Sequence, residues 1–182
     1  TIGDFSDDEV LEIFDKQVEQ TTIKTDGSKV PDVQAEDIDM AKEKKKDAEE
    51  MNLPFFTFKN GNESFYIVAV RGNGLWDEIW GYIALENDKN TIAGASFDHK
   101  GETPGLGAEI KDNKKFPASF VDKQIYDGNG QFVSVLVKKG GAEEGNRHQV
   151  DGISGATVTA DGVTEMLKRG LKYYEPYLKT LE

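Results

Sequence analysis

The stretch Phe55-Phe56-Thr57-Phe58-Lys59-Asn60-Gly61-Asn62-Glu63-Ser64-Phe65-Tyr66-Ile67-Val68-Ala69-Val70 decides the fold class. Two β-rich runs, Phe55–Phe58 and Ser64–Val70, flank Asn60-Gly61, a dipeptide that tolerates the positive φ angles of a tight hairpin turn. Strands joined by so short a turn must run antiparallel. The pattern then repeats: a turn through Arg71-Gly72-Asn73-Gly74-Leu75-Trp76, a strand over Ile79–Leu85, a turn at Asn87-Asp88-Lys89-Asn90, and a strand over Thr91–Phe97. Gly130–Val137 reads as one more strand. Consecutive short strands with tight turns predict antiparallel sheets rather than βαβ units.

Helical periodicity flanks this region. Ser6-Asp7-Asp8-Glu9 has the form of a capping box, and Val10, Leu11, Phe14 and Val18 make the apolar stripe of a first helix. A polar region follows Gln20, with a turn at Asp26-Gly27-Ser28 and a breaker at Pro31. From Ala41 to Met51 four lysines alternate with acids, which predicts a solvated helix or an extended charged segment rather than a basic binding patch. Lys111–Phe120 reads as a short helix and linker. At the C-terminal end Val163, Met166, Leu167, Leu171, Tyr174, Leu178 and Leu181 form one stripe of a helix starting near Ala160. Pro176 is expected to end or kink that helix near Tyr174 or Glu175. The fold class expected is α+β: curved antiparallel β-sheets with helices at the N- and C-termini. Residues 1–53 form an N-terminal helical segment, and residues 54–182 form the main domain.

Composition narrows the function classes. Of 182 residues, 22 are Lys or Arg and 34 are Asp or Glu, a net charge of −12. Such a surface repels a phosphate backbone, so nucleic acid is not an expected partner. Without cysteine there is no disulfide, thiolate nucleophile, iron–sulfur cluster or cysteine zinc site. No run reaches the roughly 18 apolar residues of a membrane span, and the residues from Thr1 on are not expected to act as a signal peptide. The chain begins at Thr1 rather than Met, so an upstream segment is expected to have been removed.

Three short segments carry chemistry. Asp151-Gly152-Ile153-Ser154-Gly155-Ala156-Thr157-Val158-Thr159 places three hydroxyls and two glycines just before the C-terminal helix. Thr157 or Thr159 can serve as N-cap. The unpaired amides and the helix dipole make this turn an anion site, and small residues let an anion come close. Ser154, Thr157 and Thr159 all offer a hydroxyl, and chemistry alone does not choose between them. Gly72-Asn73-Gly74-Leu75-Trp76 sets a large ring beside flexible glycines, where it can cover a flat cofactor or simply join the core. In His99-Lys100-Gly101-Glu102-Thr103-Pro104-Gly105-Leu106-Gly107, Pro104-Gly105 makes a stiff bend and amides become free to face a ligand. This second loop is neither a Walker A loop nor a Gly-x-Gly-x-x-Gly phosphate fingerprint. His99 and His148 have no metal-ligand spacing, so no metal is expected and both read as structural or exposed. No nucleophile–base pair stands out, so no catalytic residue is assigned.

The string Asp-Gly-x-Ser-Gly-Ala-Thr resembles the flavinylation motif of the FMN-binding domain family. In that family a flavin transferase joins FMN through its phosphate to the last threonine, which corresponds here to Thr157. Gly74-Leu75-Trp76, Glu102-Thr103-Pro104-Gly105-Leu106-Gly107 and the Thr157 motif occur in the same order in the C subunits of the Na+-translocating NADH:quinone reductases, the Nqr complexes. They also occur so in the related G subunits of Rnf electron-transport complexes. The resemblance covers about residues 54 to 170. The spacer Glu143-Glu144-Gly145-Asn146-Arg147-His148 is more similar to the Nqr branch.

The resemblance implies FMN on Thr157 as a phosphoester, with Ser154, Gly155, Ala156, Val158 and Thr159 around it. It implies that Gly74, Leu75, Trp76, Glu102, Thr103, Leu106 and Gly107 lie near the isoalloxazine ring. Lys138, with Lys139 as alternate, would offset the phosphodiester charge on a protein already at −12. Electron relay within a Na+-translocating enzyme follows, with the other subunits and the flavin transferase as partners. Family members have an N-terminal membrane helix, and none is expected within residues 1–182 of this chain. It is therefore expected to be the soluble part of a protein anchored in the bacterial inner membrane, on the periplasmic side, with residues 1–53 membrane-proximal.

Two other classes compete with this reading. A flavoprotein reductase acting on a diffusible substrate would need a substrate or nucleotide motif, and none appears. A cofactor-free surface binding module would use the Ser-Gly-Ala-Thr turn as nothing more than a helix cap.

Overall fold

A computed structural model describes residues 6–181; the expectation drawn from Thr1 lies outside the described residues. The hairpin forms as the sequence dictates. Strands β2 (Leu53–Asn60) and β3 (Glu63–Asn73) pair antiparallel, with Phe55 opposite Val68 and Phe58 opposite Phe65. Strands β4 (Glu78–Leu85) and β5 (Ile92–His99) continue the meander, and Val68, Ile83 and Ala95 share one cross-strand row. The β4–β5 turn is held by Asp88, whose Oδ1 accepts the Asn90 and Thr91 amides at 2.9 and 2.8 Å.

A fifth strand goes beyond the sequence expectation. Val18–Ile23, labelled β1, pairs antiparallel with β2 and gives the order β1-β2-β3-β4-β5. It takes Val18 from the expected helix stripe and the residues after Gln20 from the expected polar region. Val18, Thr21, Thr22 and Ile23 are all β-branched, and the phenylalanine-rich β2 offers them a partner. Helix α1 (Asp7–Gln17) therefore ends before Val18. Its capping box is present: Glu9 accepts the Ser6 amide at 2.8 Å, and Ser6 accepts the Glu9 amide at 3.4 Å. The charged segment beyond is only partly solvated. It contains α2 (Met40–Glu43) and a 3₁₀ turn at Ala48–Glu50, and the buried Glu43 carboxylate accepts from the Asn52 amide and from Lys46.

The inner face of the sheet presents Tyr66, Val68, Val70, Ile79, Ile83 and Leu85 to a long C-terminal helix, all of them buried. The last five elements are α3 (Glu109–Asp112), α4 (Lys115–Ala118), β6 (Leu136–Lys138), β7 (Gln149–Asp151) and α5 (Thr157–Leu178). The predicted stripe of α5, from Val163 to Leu178, is buried against that face. Fully buried Tyr174 donates its hydroxyl to the Ala69 carbonyl at 3.0 Å, and burial pushes its pKa up. Helices α3 and α4 cover β5, where the Phe97, Phe116 and Phe120 rings pack with centroids 5.1 to 5.6 Å apart.

Three expectations need correction. Helix α5 starts at Thr157 rather than near Ala160, because the small residues before it already pack on the sheet-side loops. Pro176 does not end it: the helix runs on to Leu178, since proline removes one amide in the last turns while Tyr177 and Leu178 are buried and hold the chain down. Gly130–Val137 is not one strand. Only Leu136–Lys138 is extended in a ladder, pairing in parallel with β7, while Ser134 adopts φ 62° and breaks the run before it.

Helix α5 crosses close to the β3–β4 connection. A Cβ on Gly162 would collide with the Asn73 carbonyl oxygen, so only glycine permits this approach. Gly162→Ala should destabilise the protein by about 1–3 kcal/mol, the usual cost of overfilling a packed contact. A urea titration would read this as a lower midpoint at unchanged slope; an unaltered midpoint would mean that α5 does not lie this close.

Candidate functional site

The three segments singled out in the sequence meet at the N-terminus of α5, and one carboxylate joins them. Glu102 is 5% exposed. Its Oε1 accepts the Trp76 and Asp77 amides at 2.9 and 3.2 Å, and its Oε2 accepts the Leu75 amide at 3.1 Å. The Thr159 hydroxyl donates to the same Oε2 at 2.5 Å. The Glu102 amide is taken by His99 Nδ1 at 3.1 Å. Burial pushes the Glu102 carboxyl up, but the Thr159 hydroxyl and the three amides outweigh it and hold it below the ordinary glutamate range. Glu102 thus faces the protein, with every carboxylate bond spent on fixing the two partner segments.

This bond takes one of the three candidate hydroxyls out of play. Thr159 is fully buried and committed to Glu102, with a longer contact to the Leu106 carbonyl at 3.3 Å. Thr157 is half-buried and Ser154 exposed, and among the described residues neither hydroxyl has a protein partner. Neither threonine caps the helix, contrary to expectation. Ala156 occupies the N-cap and offers no side-chain acceptor, because Thr157 already lies inside the first turn and Thr159 is turned toward Glu102. Among the described residues the amides of Thr157, Val158 and Thr159 have no acceptor, whereas Ala160 bonds back to Ala156. An alanine cap is worth about 0.5–2 kcal/mol less than Ser, Thr, Asp or Asn. The helix start is therefore left open to an anion.

Thr157 lines a cleft of about 500 Å³ together with Lys139, Gly141, Asp151, Ser154 and Asp161. That volume lies within the usual span of small-molecule sites. Of the two lysines considered, Lys139 lines the cleft, while Lys138 pairs with Glu143. The Lys138 carbonyl instead accepts the Gly152 amide at 2.9 Å, tying β6 to the motif. Around the junction, Leu75, Trp76, Leu106 and Val158 are exposed apolar side chains, Trp76 most of all at 65%. Thr103 is exposed as well, while Gly107 and Ala156 are buried in the junction. Gly155, at φ 81°, brings the motif against the second loop: a Cβ there would lie 2.6 Å from the Gly105 carbonyl oxygen.

Sequence reasoning missed Glu109. Its two oxygens accept the Gly105 amide at 2.5 Å and the Gly107 amide at 3.1 Å, so these amides do not face a ligand as expected. The available signal was an acid two residues beyond Gly107, close enough to fold back onto the glycine loop. His99 and His148 serve the backbone, His148 through a 2.7 Å contact between Nδ1 and the Gln124 carbonyl. Among the described residues no cluster of three acids or histidines is placed to hold a metal ion.

Residues 74–172, which contain both loops and the α5 turn, match the FMN-binding domain model. The chain is 47% identical over 109 residues to the C subunit of the Na(+)-translocating NADH-quinone reductase of Vibrio anguillarum, and 44% identical over 111 residues to that of Pseudomonas aeruginosa. Each match covers 59% of this chain and 42% of the relative, so it spans less than half the length of those proteins. Two crystal structures are also similar. The C subunit of the Na(+)-translocating NADH-quinone reductase from Parabacteroides distasonis has a TM-score of 0.85 and 39% identity, over 96% of this chain and 85% of that one. NqrC from Shewanella oneidensis has a TM-score of 0.83 and 32% identity, over 97% and 89%.

Glu102→Gln keeps the shape but turns one oxygen into a donor facing donors, and should cost about 1.5–3 kcal/mol at neutral pH. Because the folded pKa is lowered, this stabilisation is full above the ordinary glutamate range and is lost as pH falls through the folded value. Urea midpoints of the two proteins should therefore differ at neutral pH and converge in acid; a gap that does not narrow would contradict the charged-carboxylate account.

Proposed function

Since the chain belongs to the FMN-binding domain family, we propose that it is the flavin-carrying domain of the C subunit of a Na+-translocating NADH:quinone reductase. Its FMN would be held covalently through a phosphoester to Thr157. The observation that carries this reading is a free Thr157 hydroxyl at the unsatisfied amide end of a 22-residue helix, facing a cleft. Such a turn fits a phosphodiester: three amides and the helix dipole receive the oxygens, and Lys139 offsets the charge beside Asp151 and Asp161.

The side chains around the junction suit the rest of the group. Leu75, Trp76, Leu106 and Val158 supply exposed apolar surface for a flat ring, and Thr103 supplies a hydroxyl at its edge. Gly74 and Gly107 let the loops close on Glu102, which keeps both loops in place. When bound, FMN supplies the one- and two-electron chemistry, and the protein tunes its potential. The chain would thus relay electrons between other subunits of the complex, after a flavin transferase has loaded it.

In this reading residues 54–182 carry the flavin and residues 1–53 face the membrane, although β1 of that segment belongs to the sheet. No helix among the described residues is long and apolar enough to cross a membrane. Attachment at the periplasmic face of the inner membrane would then depend on an N-terminal anchor and on the other subunits. The Nqr assignment is preferred to a G-type Rnf assignment because both similar structures are C subunits of the Nqr type. The cofactor-free reading is disfavoured by the alanine cap, which leaves the helix end unsatisfied.

Intact-mass analysis of the chain co-expressed with a flavin transferase, under denaturing conditions, tests this. The expected result is a gain equal to FMN less water, kept in Ser154→Ala and absent from Thr157→Ala. No gain in any of the three, with the transferase active on another acceptor, would overturn the covalent reading.

A further inference from the structure

Glu109 stands outside every motif, yet it determines how the second loop is shaped. Four local hydrogen bonds restrain that loop. The Thr103 carbonyl accepts the Leu106 amide at 2.9 Å and the Ala108 amide at 3.3 Å, which closes the bend. The Glu109 carboxylate then takes the amides of Gly105 and Gly107, one oxygen to each. With those amides turned toward Glu109, the Gly105 carbonyl points at Gly155 and the Leu106 carbonyl lies 3.3 Å from the Thr159 hydroxyl. The Leu106 side chain is left 41% exposed at the rim of the junction. One carboxylate thus sets the loop orientation that presents Leu106 beside the start of α5.

We infer that Glu109 is a positioning residue for the flavin: it holds the Thr103–Gly107 loop in the orientation that places Leu106 against the ring. This rests on the function proposed above. Glu102 and Glu109 divide the work. Glu102 ties the first loop to α5 from inside, and Glu109 shapes the second loop through its Gly105 and Gly107 amides. Glu109 acts through backbone amides, and Glu102 through amides and the Thr159 hydroxyl, so their effects on a bound flavin are indirect. Loss of Glu109 should leave the Thr157 hydroxyl, the α5 amides and Lys139 untouched, and attachment should proceed as before. What should change is the packing at the ring and therefore its potential.

Two measurements test this on Glu109→Gln and Glu109→Ala. The first is amide hydrogen exchange by NMR on the unloaded protein. Exchange at Gly105 and Gly107 should quicken by on the order of tenfold or more, since each loses a charge-assisted acceptor. Amides of Leu75, Trp76 and Asp77, which belong to Glu102, should exchange as in the wild type. The second is the flavin midpoint potential after loading: it should shift while the flavin content per chain stays equal. Glu109→Asp, one methylene shorter, should fail to restore either reading. Unchanged exchange at Gly105 and Gly107, or a uniform rise throughout the protein, would overturn the inference, as would an unshifted potential. If even the wild type takes up no flavin, the proposed function fails, while the exchange data still decide whether Glu109 holds the loop.

Discussion

A carboxylate withdrawn from water costs several kcal/mol unless donors replace its hydration, and Glu102 recovers that cost by accepting from four groups at once. Three of these donors are consecutive amides at the β3–β4 connection, and the fourth is a hydroxyl on α5. No single loop could supply them, so the buried charge is satisfied only when the sheet, the following loop and the helix are in register. The arrangement is consequently cooperative: each segment has its place because the other two provide it. Close backbone approaches enforce the same geometry, with Gly162 against Asn73 and Gly155 against Gly105.

Functional selectivity follows from that constraint. A turn with three hydroxyls offers three acceptors to a modifying enzyme, but Thr159 is spent in the interior. What remains is a helix start with an alanine cap, the unengaged hydroxyls of Ser154 before it and Thr157 in its first turn, and a lysine across the cleft. Stability would be better served by Ser or Asp at position 156, and the local rule is broken where an anion would bind. This is the pattern expected of a functional site, where local preference yields to chemistry.

Much of this is readable in the chain itself. The hairpin at Asn60-Gly61, the capping box at Ser6 and the stripe of α5 follow from local turn chemistry and periodicity, and all are present. The α+β class and the family resemblance also stand. The failures share a cause. β1 exists because β2 pairs with it, β6 is short because Ser134 takes a left-handed conformation, and Pro176 is tolerated because Tyr177 and Leu178 are buried. Each is a tertiary effect overriding a local propensity. The roles of Glu102 and Glu109 are hidden for a related reason: a side chain that acts by accepting distant amides leaves no periodic trace. Lys138 and Lys139 cannot be told apart until the partner of Lys138, Glu143, is in view.

The claim on which the account turns is that Glu102 leaves Thr157, and not Thr159, as the acceptor. Peptide-level mass mapping of wild-type protein, loaded by a flavin transferase and cleaved to release the segment around residues 151–168, tests it most directly. The account predicts flavin phosphate on Thr157 alone. Flavin on Thr159 would contradict it, since that hydroxyl could be modified only by breaking the buried bond to Glu102 that holds the site together.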